Sequence, residues 1–515
     1  MVKRKREDAA ADGQTASEQP RKAVKATATP DPSLSSNDPA SVTVQIVTGS
    51  YERVLHGFTA SLVTSSPATD EKDVEDTASP SVHFADTFLF QAHASAIRSL
   101  ALSPLTNADS SQPQKLILAS GGTDERINLY TLSASPPVVN DRFPSVPTLA
   151  GSKILENPKN RELGSLLHHS STITALYFPT RSKLLAGAED NTISVTRTRD
   201  WTVVSSIKAP RPKAQGRPSG DTAPPGGSPS GINDFAIHPS MKLMLSVSRG
   251  EKCMRLWNLV TGKKAGVLNF SKDILQSVKE GKRGTGEGRK IIWDSRGEEF
   301  AVAFEWGAVV FGVDSIPKCK LLPSPMSKLH RIKYFNFSQG DDGADELLAA
   351  STEDGRIIFY STKETKPSDS EDSDSPIPDA QIRAQLGGKA CGLSGRVKDF
   401  EILSLADLAA WKDHFLLVTC GSDGAVRVWL LKRGEFEKPK SEPPNGDAIG
   451  ASQPRQVGKL LSTYETGNRI TCMVAFVMQK PEDPSAIGES EFESGSGEED
   501  HDDDDESSSE ESDEE

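Results

Sequence analysis

The chain has no run of eighteen apolar residues and no apolar segment behind its first residues, so neither a membrane-spanning helix nor a secretory signal is expected. Cysteine is scarce. The five present, Cys253, Cys319, Cys391, Cys420 and Cys472, are scattered, with no Cys-x-x-Cys and no histidine at ligand spacing. That pattern supports neither a disulfide framework nor a zinc site and reads as reduced thiols of a nuclear or cytosolic protein. Catalytic motifs are missing as well. Without Gly-x-Ser-x-Gly, His-Glu-x-x-His or a cluster of metal ligands, no nucleophile or base stands out. "GTGEGRK", Gly284 to Lys290, lacks the spacing of a phosphate-binding loop and leads into a strand where such a loop needs a helix. These absences predict a protein that is not an enzyme and uses no cofactor and no metal.

What is present is charge in separate places. The formal net charge of -14 belongs largely to the end, "EEDHDDDDESSSEESDEE", whereas the start, "MVKRKREDAA", is basic. The overall acidity therefore does not exclude contact with nucleic acid. Lys3, Arg4, Lys5 and Arg6, followed by "RKAVK" at Arg21 to Lys25, read as a nuclear localisation signal or as a plain solubilising cluster. Low hydrophobic content (35%) and 33 prolines indicate that a good part of the chain is not core. Three regions are predicted: a disordered basic segment over 1–40, a folded body over 41–479 and a disordered acidic tail over 480–515. Serines among the acids of that tail suit an acidophilic kinase, and the tail either pairs with basic proteins or only solubilises.

The body is repetitive. "LASGGTDERINLY", "LLAGAEDNTISVT", "LSVSRGEKCMRLW", "LAASTEDGRIIFY" and "VTCGSDGAVRVWLL" share one pattern. In each, the acidic turn residue (Asp124, Asp190, Glu251, Asp354 or Asp423) stands six positions before Tyr130, Thr196, Trp257, Tyr360 or Trp429. Five copies with one internal offset indicate a repeat. Around them alternating segments supply four short strands per unit, making six complete units between Ile97 and Leu461. Three strands precede them from Val42 and a single one follows, "RITCMVAFVM" from Arg469 to Met478. Pairing that last strand beside the first completes a seventh unit and closes a ring of radial sheets, which leaves only short edges. The fold expected is all-β: a seven-bladed propeller with disordered termini and long loop insertions.

Within that ring, His93 and His169 each stand before the first strand of a unit, in "HASAI" and "HSSTI". A buried imidazole there can bond the acidic turn of its own unit, Asp124 or Asp190, and hold the strands together. Trp257 and Trp429 end alternating strands and are read as packing between blades. Lys282, Arg283, Arg289 and Lys290 make the segment before one strand basic and glycine-rich. That segment is either a contact to a phosphate backbone or an ordinary mobile loop.

The repeats, "SVSRGEKCMRLWNL" and "VTCGSDGAVRVWLL" most clearly, resemble a WD40 propeller, although several units end in Tyr or Thr and lack the following Asp. A narrower resemblance rests on "VTGSYERVLHGF", "FQAHASAIRSLALS", "ELGSLLHHSSTITALYF", "INDFAIHPSMKLMLSVSRGEKCMRLWNLVTGKKAGVLNF" and "TGNRITCMVAFV", and covers most of residues 42–478. Together these resemble the p21-activated-kinase-interacting proteins, whose fungal members are assembly factors of the large ribosomal subunit. The resemblance implies a monomeric scaffold in the nucleus and nucleolus, bound to large-subunit assembly factors, ribosomal proteins and precursor rRNA, with no membrane. It equally implies the competing class, a regulator that binds and inhibits a p21-activated protein kinase. Proline-rich insertions near 61–82, 132–160 and 209–230 depart from the family pattern.

Overall fold

The computed structural model describes residues 41–63, 80–105, 114–136, 155–211, 230–280, 284–337, 346–367, 377–391, 393, 395–406, 408, 411–437 and 454–479. The basic start, the acidic tail and most of the three insertions lie outside them.

Strands come in groups of four. The chain opens with β1 (Val42–Ser50), β2 (Val54–Val63) and β3 (Ser81–Gln91). The first complete group is β4 (Ile97–Leu102), β5 (Lys115–Gly122), β6 (Ile127–Ser133) and β7 (Arg161–Leu166). The second is β8 (Ile173–Thr180), β9 (Lys183–Ala188), β10 (Thr192–Arg197) and β11 (Val203–Lys208). The third is β12 (Ile232–Ile237), β13 (Leu243–Ser248), β14 (Cys253–Asn258) and β15 (Lys263–Asn269). The fourth is β16 (Lys290–Trp293), β17 (Glu299–Ala303), β18 (Ala308–Gly312) and β19 (Pro317–Leu321). The fifth is β20 (Leu329–Asn336), β21 (Glu346–Thr352), β22 (Arg356–Lys366) and β23 (Asp379–Gly387). The sixth is β24 (Val397–Ser404), β25 (His414–Gly421), β26 (Ala425–Lys432) and β27 (Lys459–Glu465), and β28 (Ile470–Val477) ends the series.

Each group is an antiparallel sheet, and β28 joins the opening three in the order β28-β1-β2-β3. The register runs from Val44 opposite Val477 to Ser50 opposite Ile470. A single parallel bridge, Lys320 to Asp379, links the outer strands of the fourth and fifth sheets. The inner strands touch in a closed cycle, β4, β8, β12, β16, β20, β24, β28 and back to β4. Seven sheets therefore stand radially around a central channel.

The sequence forms these sheets because both faces of the middle strands are buried. In β25, Phe415 and Leu417 pack against the fifth sheet, while Leu416, Val418 and Cys420 pack against the seventh. Such strands read as continuous apolar runs, whereas an outer strand such as β7 is mostly exposed. Apolar residues accordingly gather into seven clusters, one at each contact between neighbouring sheets. Small residues end the second strands because the next sheet comes close. A Cβ on Gly121 would stand 2.5 Å from Ile173 Cγ2, and one on Gly49 2.7 Å from Ile97 Cγ2.

The all-β reading contains no helix, and among the described residues the structure adds one α-helix, α1 (Lys272–Ser277). Ser271 caps it by accepting from the Ile274 N–H, and Ile274 and Leu275 are buried in the cluster between the third and fourth sheets.

Candidate interaction surface at the channel mouth

Antiparallel order puts the starts of the inner strands and the turns between second and third strands at the same end of the ring, here called the upper face. The acidic turn residues lie there. His93 Nδ1 is 2.9 Å from Asp124 Oδ1 and its Nε2 is 2.8 Å from Ser120 Oγ. His169 Nδ1 is 3.1 Å from Asp190 Oδ2 and its Nε2 is 2.8 Å from Ser194 Oγ. Burial raises the Asp124 carboxyl pKa, but bonds from His93 and the Ala94 N–H outweigh it and the net direction is down. Asp190 follows the same logic, its bonds to His169 and Thr192 bringing it to about 2.

Other sheets use arginine in place of histidine. Glu251 pairs with Arg255, Asp354 with Arg356 at 2.8 Å, and Asp423 with Arg427 at 2.8 Å. In two of them the tryptophan closes the strand pair, with Trp257 Nε1 donating to Ser246 Oγ at 2.8 Å and Trp429 Nε1 to Thr419 Oγ1 at 3.3 Å.

The fixed offset of six has a geometric cause. Tyr130, Thr196, Trp257, Tyr360 and Trp429 each sit where pairing of the third strand with the outer strand slips by one residue. Phe58 and Phe311 occupy the same slip in the two remaining sheets. Six residues before them stand Glu52 and Glu305, so all seven sheets carry the acid-to-bulge spacing. A bulge increases local twist, which lets the outer strand splay away from the axis. Glu52 and Glu305 escaped the sequence reading, although scanning for the offset would have found them.

A second ring of slips lies on the inner strands and builds the mouth. Arg98, Thr174, Asn233, Lys398 and Thr471 are the extra residues in pairing with the second strand, and His330 with Arg331 fill the equivalent place in the fifth sheet. Three of these tie one sheet to the next. Thr471 Oγ1 donates to Ile97 O at 2.7 Å, Thr174 Oγ1 to Ile232 O at 2.6 Å, and Asn233 Nδ2 to Gly288 O at 2.9 Å. The others are cationic or imidazole groups.

Deeper in the ring, charges are neutralised across neighbouring inner strands. Arg331 lies 3.4 Å from Asp399, Lys333 2.5 Å from Glu401 and Lys290 3.6 Å from Asp234. Asp399 beside it raises the Arg331 pKa further. At the mouth itself the balance fails: among the described residues Arg98 and Lys398 have no carboxylate partner within ion-pair distance. Burial lowers the Lys398 pKa, and Arg396, Arg469 and Arg98 push the same way against Glu353. His330 falls to about 4 through burial and Lys398, and its buried Nε2 has no hydrogen-bond partner. Arg469 stacks over Tyr51, its guanidinium carbon 5.6 Å from the ring centroid, and that ring is 60% exposed.

The basic segment singled out in the sequence divides. Lys282, Arg283 and the basic start Lys3 to Arg6 lie outside the described residues. Arg289 reaches the mouth but pairs with Glu305 at 3.0 Å, and Lys290 is held between inner strands by Asp234, its pKa lowered by burial. Sequence reasoning missed Arg98, Lys398 and Arg469, because nothing local marks three single cations on different strands as neighbours.

Comparison with known proteins agrees with this architecture. Residues 160–196 match the model of the WD domain, G-beta repeat. The p21-activated protein kinase-interacting protein 1-like of Danio rerio is 24% identical over 84% of this chain and 81% of its own length. Protein MAK11 of Saccharomyces cerevisiae is 26% identical over 76% of this chain and 78% of its own. The human p21-activated protein kinase-interacting protein 1 is 26% identical over 67% of this chain and 66% of its own. The ring of seven four-stranded sheets and the matched repeat make the chain a WD40-repeat β-propeller, similar over most of its length to the p21-activated protein kinase-interacting proteins and to Protein MAK11.

Proposed function

We propose that this propeller is a non-catalytic scaffold in assembly of the large ribosomal subunit, working in the nucleus and nucleolus. It binds assembly factors and ribosomal proteins there and touches precursor rRNA. The observation that carries this reading is the charge of the body. Residues 41–479 hold 51 lysines and arginines against 49 aspartates and glutamates, so the body, set apart from the acidic tail, is net positive by two. Part of that surplus is unpaired at the channel mouth, where it suits a polyanion. The family resemblance points the same way. Sedimentation of cell extract on a sucrose gradient tests it: the protein is expected with large-subunit precursors, and confinement to light fractions overturns the proposal.

A second reading is favoured by the names of the relatives, kinase-interacting proteins in fish and human and a Shk1 kinase-binding protein in Schizosaccharomyces pombe. On that reading the chain binds and restrains a p21-activated kinase. Inhibition of such a kinase by the purified chain, with no particle association, selects it.

A further inference from the structure

Lys398, Arg469 and Arg98 belong to the sixth, seventh and first sheets, which are consecutive around the ring. Lys398 and Arg98 occupy equivalent inner-strand bulges, and Arg469 immediately precedes β28. Their side chains therefore meet one arc of the mouth, and repulsion from Arg469 and Arg98 adds to the burial that lowers the Lys398 pKa. Arg396 flanks the arc but is occupied by Glu353 at 2.8 Å. Tyr51, in the turn between β1 and β2, adds an exposed aromatic face beside Arg469. The turn is pinned to the arc, with Tyr51 N–H donating to Arg469 O at 2.8 Å and Arg469 N–H to Glu52 Oε2 at 2.9 Å.

We propose that this arc is a binding site for single-stranded RNA, the phosphates meeting Lys398, Arg469 and Arg98 and one unpaired base stacking on Tyr51. Cations in an arc with an adjacent exposed ring suit a single strand, whereas the bases of a duplex are not free to stack. An incoming phosphate also relieves the repulsion among these cations, which among the described residues have no carboxylate within ion-pair distance. The site adds residues and a strand form to the RNA contact of the assembly reading, and rests on that reading only for which RNA is bound.

Binding of a fluorescent oligouridylate to the purified full chain, followed by anisotropy as salt is raised, tests the site. The triple variant Arg98→Ala, Lys398→Ala, Arg469→Ala is expected to lose at least about tenfold in affinity at low salt. Its log-log salt slope is expected to shrink by about two, since each phosphate contact to a single strand contributes roughly 0.7. Tyr51→Ala is expected to weaken binding about 5- to 100-fold with the slope unchanged. Arg181→Ala with Lys183→Ala, on the opposite face in the turn between β8 and β9, is expected to bind as wild type. Circular dichroism confirms that each variant is folded. Absence of binding by the wild type, or an unaltered triple variant, overturns the proposal. So does indifference to Tyr51→Ala combined with displacement by polyglutamate, which assigns the arc to an acidic polypeptide. The two readings fail separately: a chain that binds the oligonucleotide but sediments only in light fractions refutes the assembly role alone. One that cosediments without binding the oligonucleotide refutes this site alone.

Discussion

Tyr464, on the outer strand of the sixth sheet, donates its hydroxyl hydrogen to Asp86 on the outer strand of the seventh, 378 residues away in sequence. His56 Nε2 meets the same carboxylate oxygen at 2.8 Å, and the Tyr464 ring stacks 4.4 Å from Phe58. This contact joins the last complete sheet to the one that closes the ring.

Tyr464→Phe keeps the ring stack and removes only the hydroxyl. Loss of that half-buried charge-assisted bond is expected to cost about 1 to 2 kcal/mol. Urea denaturation reads it as a lower midpoint at an unchanged slope. A midpoint equal to wild type shows that the hydroxyl adds nothing at the seam.

Closure itself depends on β28. A chain ending before Arg469 exposes the whole edge of β1 and is expected to aggregate or to melt without cooperativity. A chain lacking only residues 482–515 is expected to melt as the full chain does. Equal, sharp melts for both truncations rule out closure by this strand.

Acid sensitivity follows from Asp190. Its folded pKa of about 2 lies below the ordinary 3.8, so its stabilisation is complete above pH 3.8 and disappears as pH falls toward 2. Asp190→Asn is expected to cost about 1 to 2 kcal/mol at pH 6, allowing for partial solvent screening, and nothing near pH 2. Unfolding free energies measured across that window decide it; a pH-independent difference contradicts the linkage.

His330 acts in a milder range. Because the fold lowers its pKa from 6.5 to about 4, the unfolded chain takes up the proton first. Stability is therefore lost as pH falls from 6.5 to 4, by on the order of 2 kcal/mol. His330→Gln is expected to flatten the melting temperature over that interval, and an unchanged pH profile refutes the assignment.

Neutralising Lys290 is expected to lower stability, because Asp234 is left behind between the inner strands. Lys290→Gln is predicted to cost about 1 to 3 kcal/mol by denaturant titration. By sequence alone it belongs to a basic segment read as a phosphate contact or an ordinary mobile loop, a place where its loss costs no stability. A wild-type melting temperature restores that view.

The repeat was legible because the acid, the turn and the strand residue of each unit are close in sequence, and their chemistry is local. Asp124 and Tyr130 are an example: the carboxylate bonds the tight turn, and the bulge six residues on carries a β-branched or aromatic side chain. Glu305 and Phe311 keep that spacing under a sequence, "FEWGAVVF", whose turn differs enough to hide it.

By itself the sequence determined the strand pattern, the number of units and the division of charge between body and tail, since each follows from alternation, turn chemistry and composition. Only tertiary structure decided which cations are neutralised and which are not. Lys290 and Lys398 look alike along the chain, yet folding places Asp234 beside one and brings Arg469 and Arg98 to join the local Arg396 about the other. The reason is that a side chain's electrostatic surroundings on an inner strand come from neighbouring sheets. For Lys398 those neighbours are fixed by the closure of β28 on β1, a contact between segments at opposite ends of the folded body.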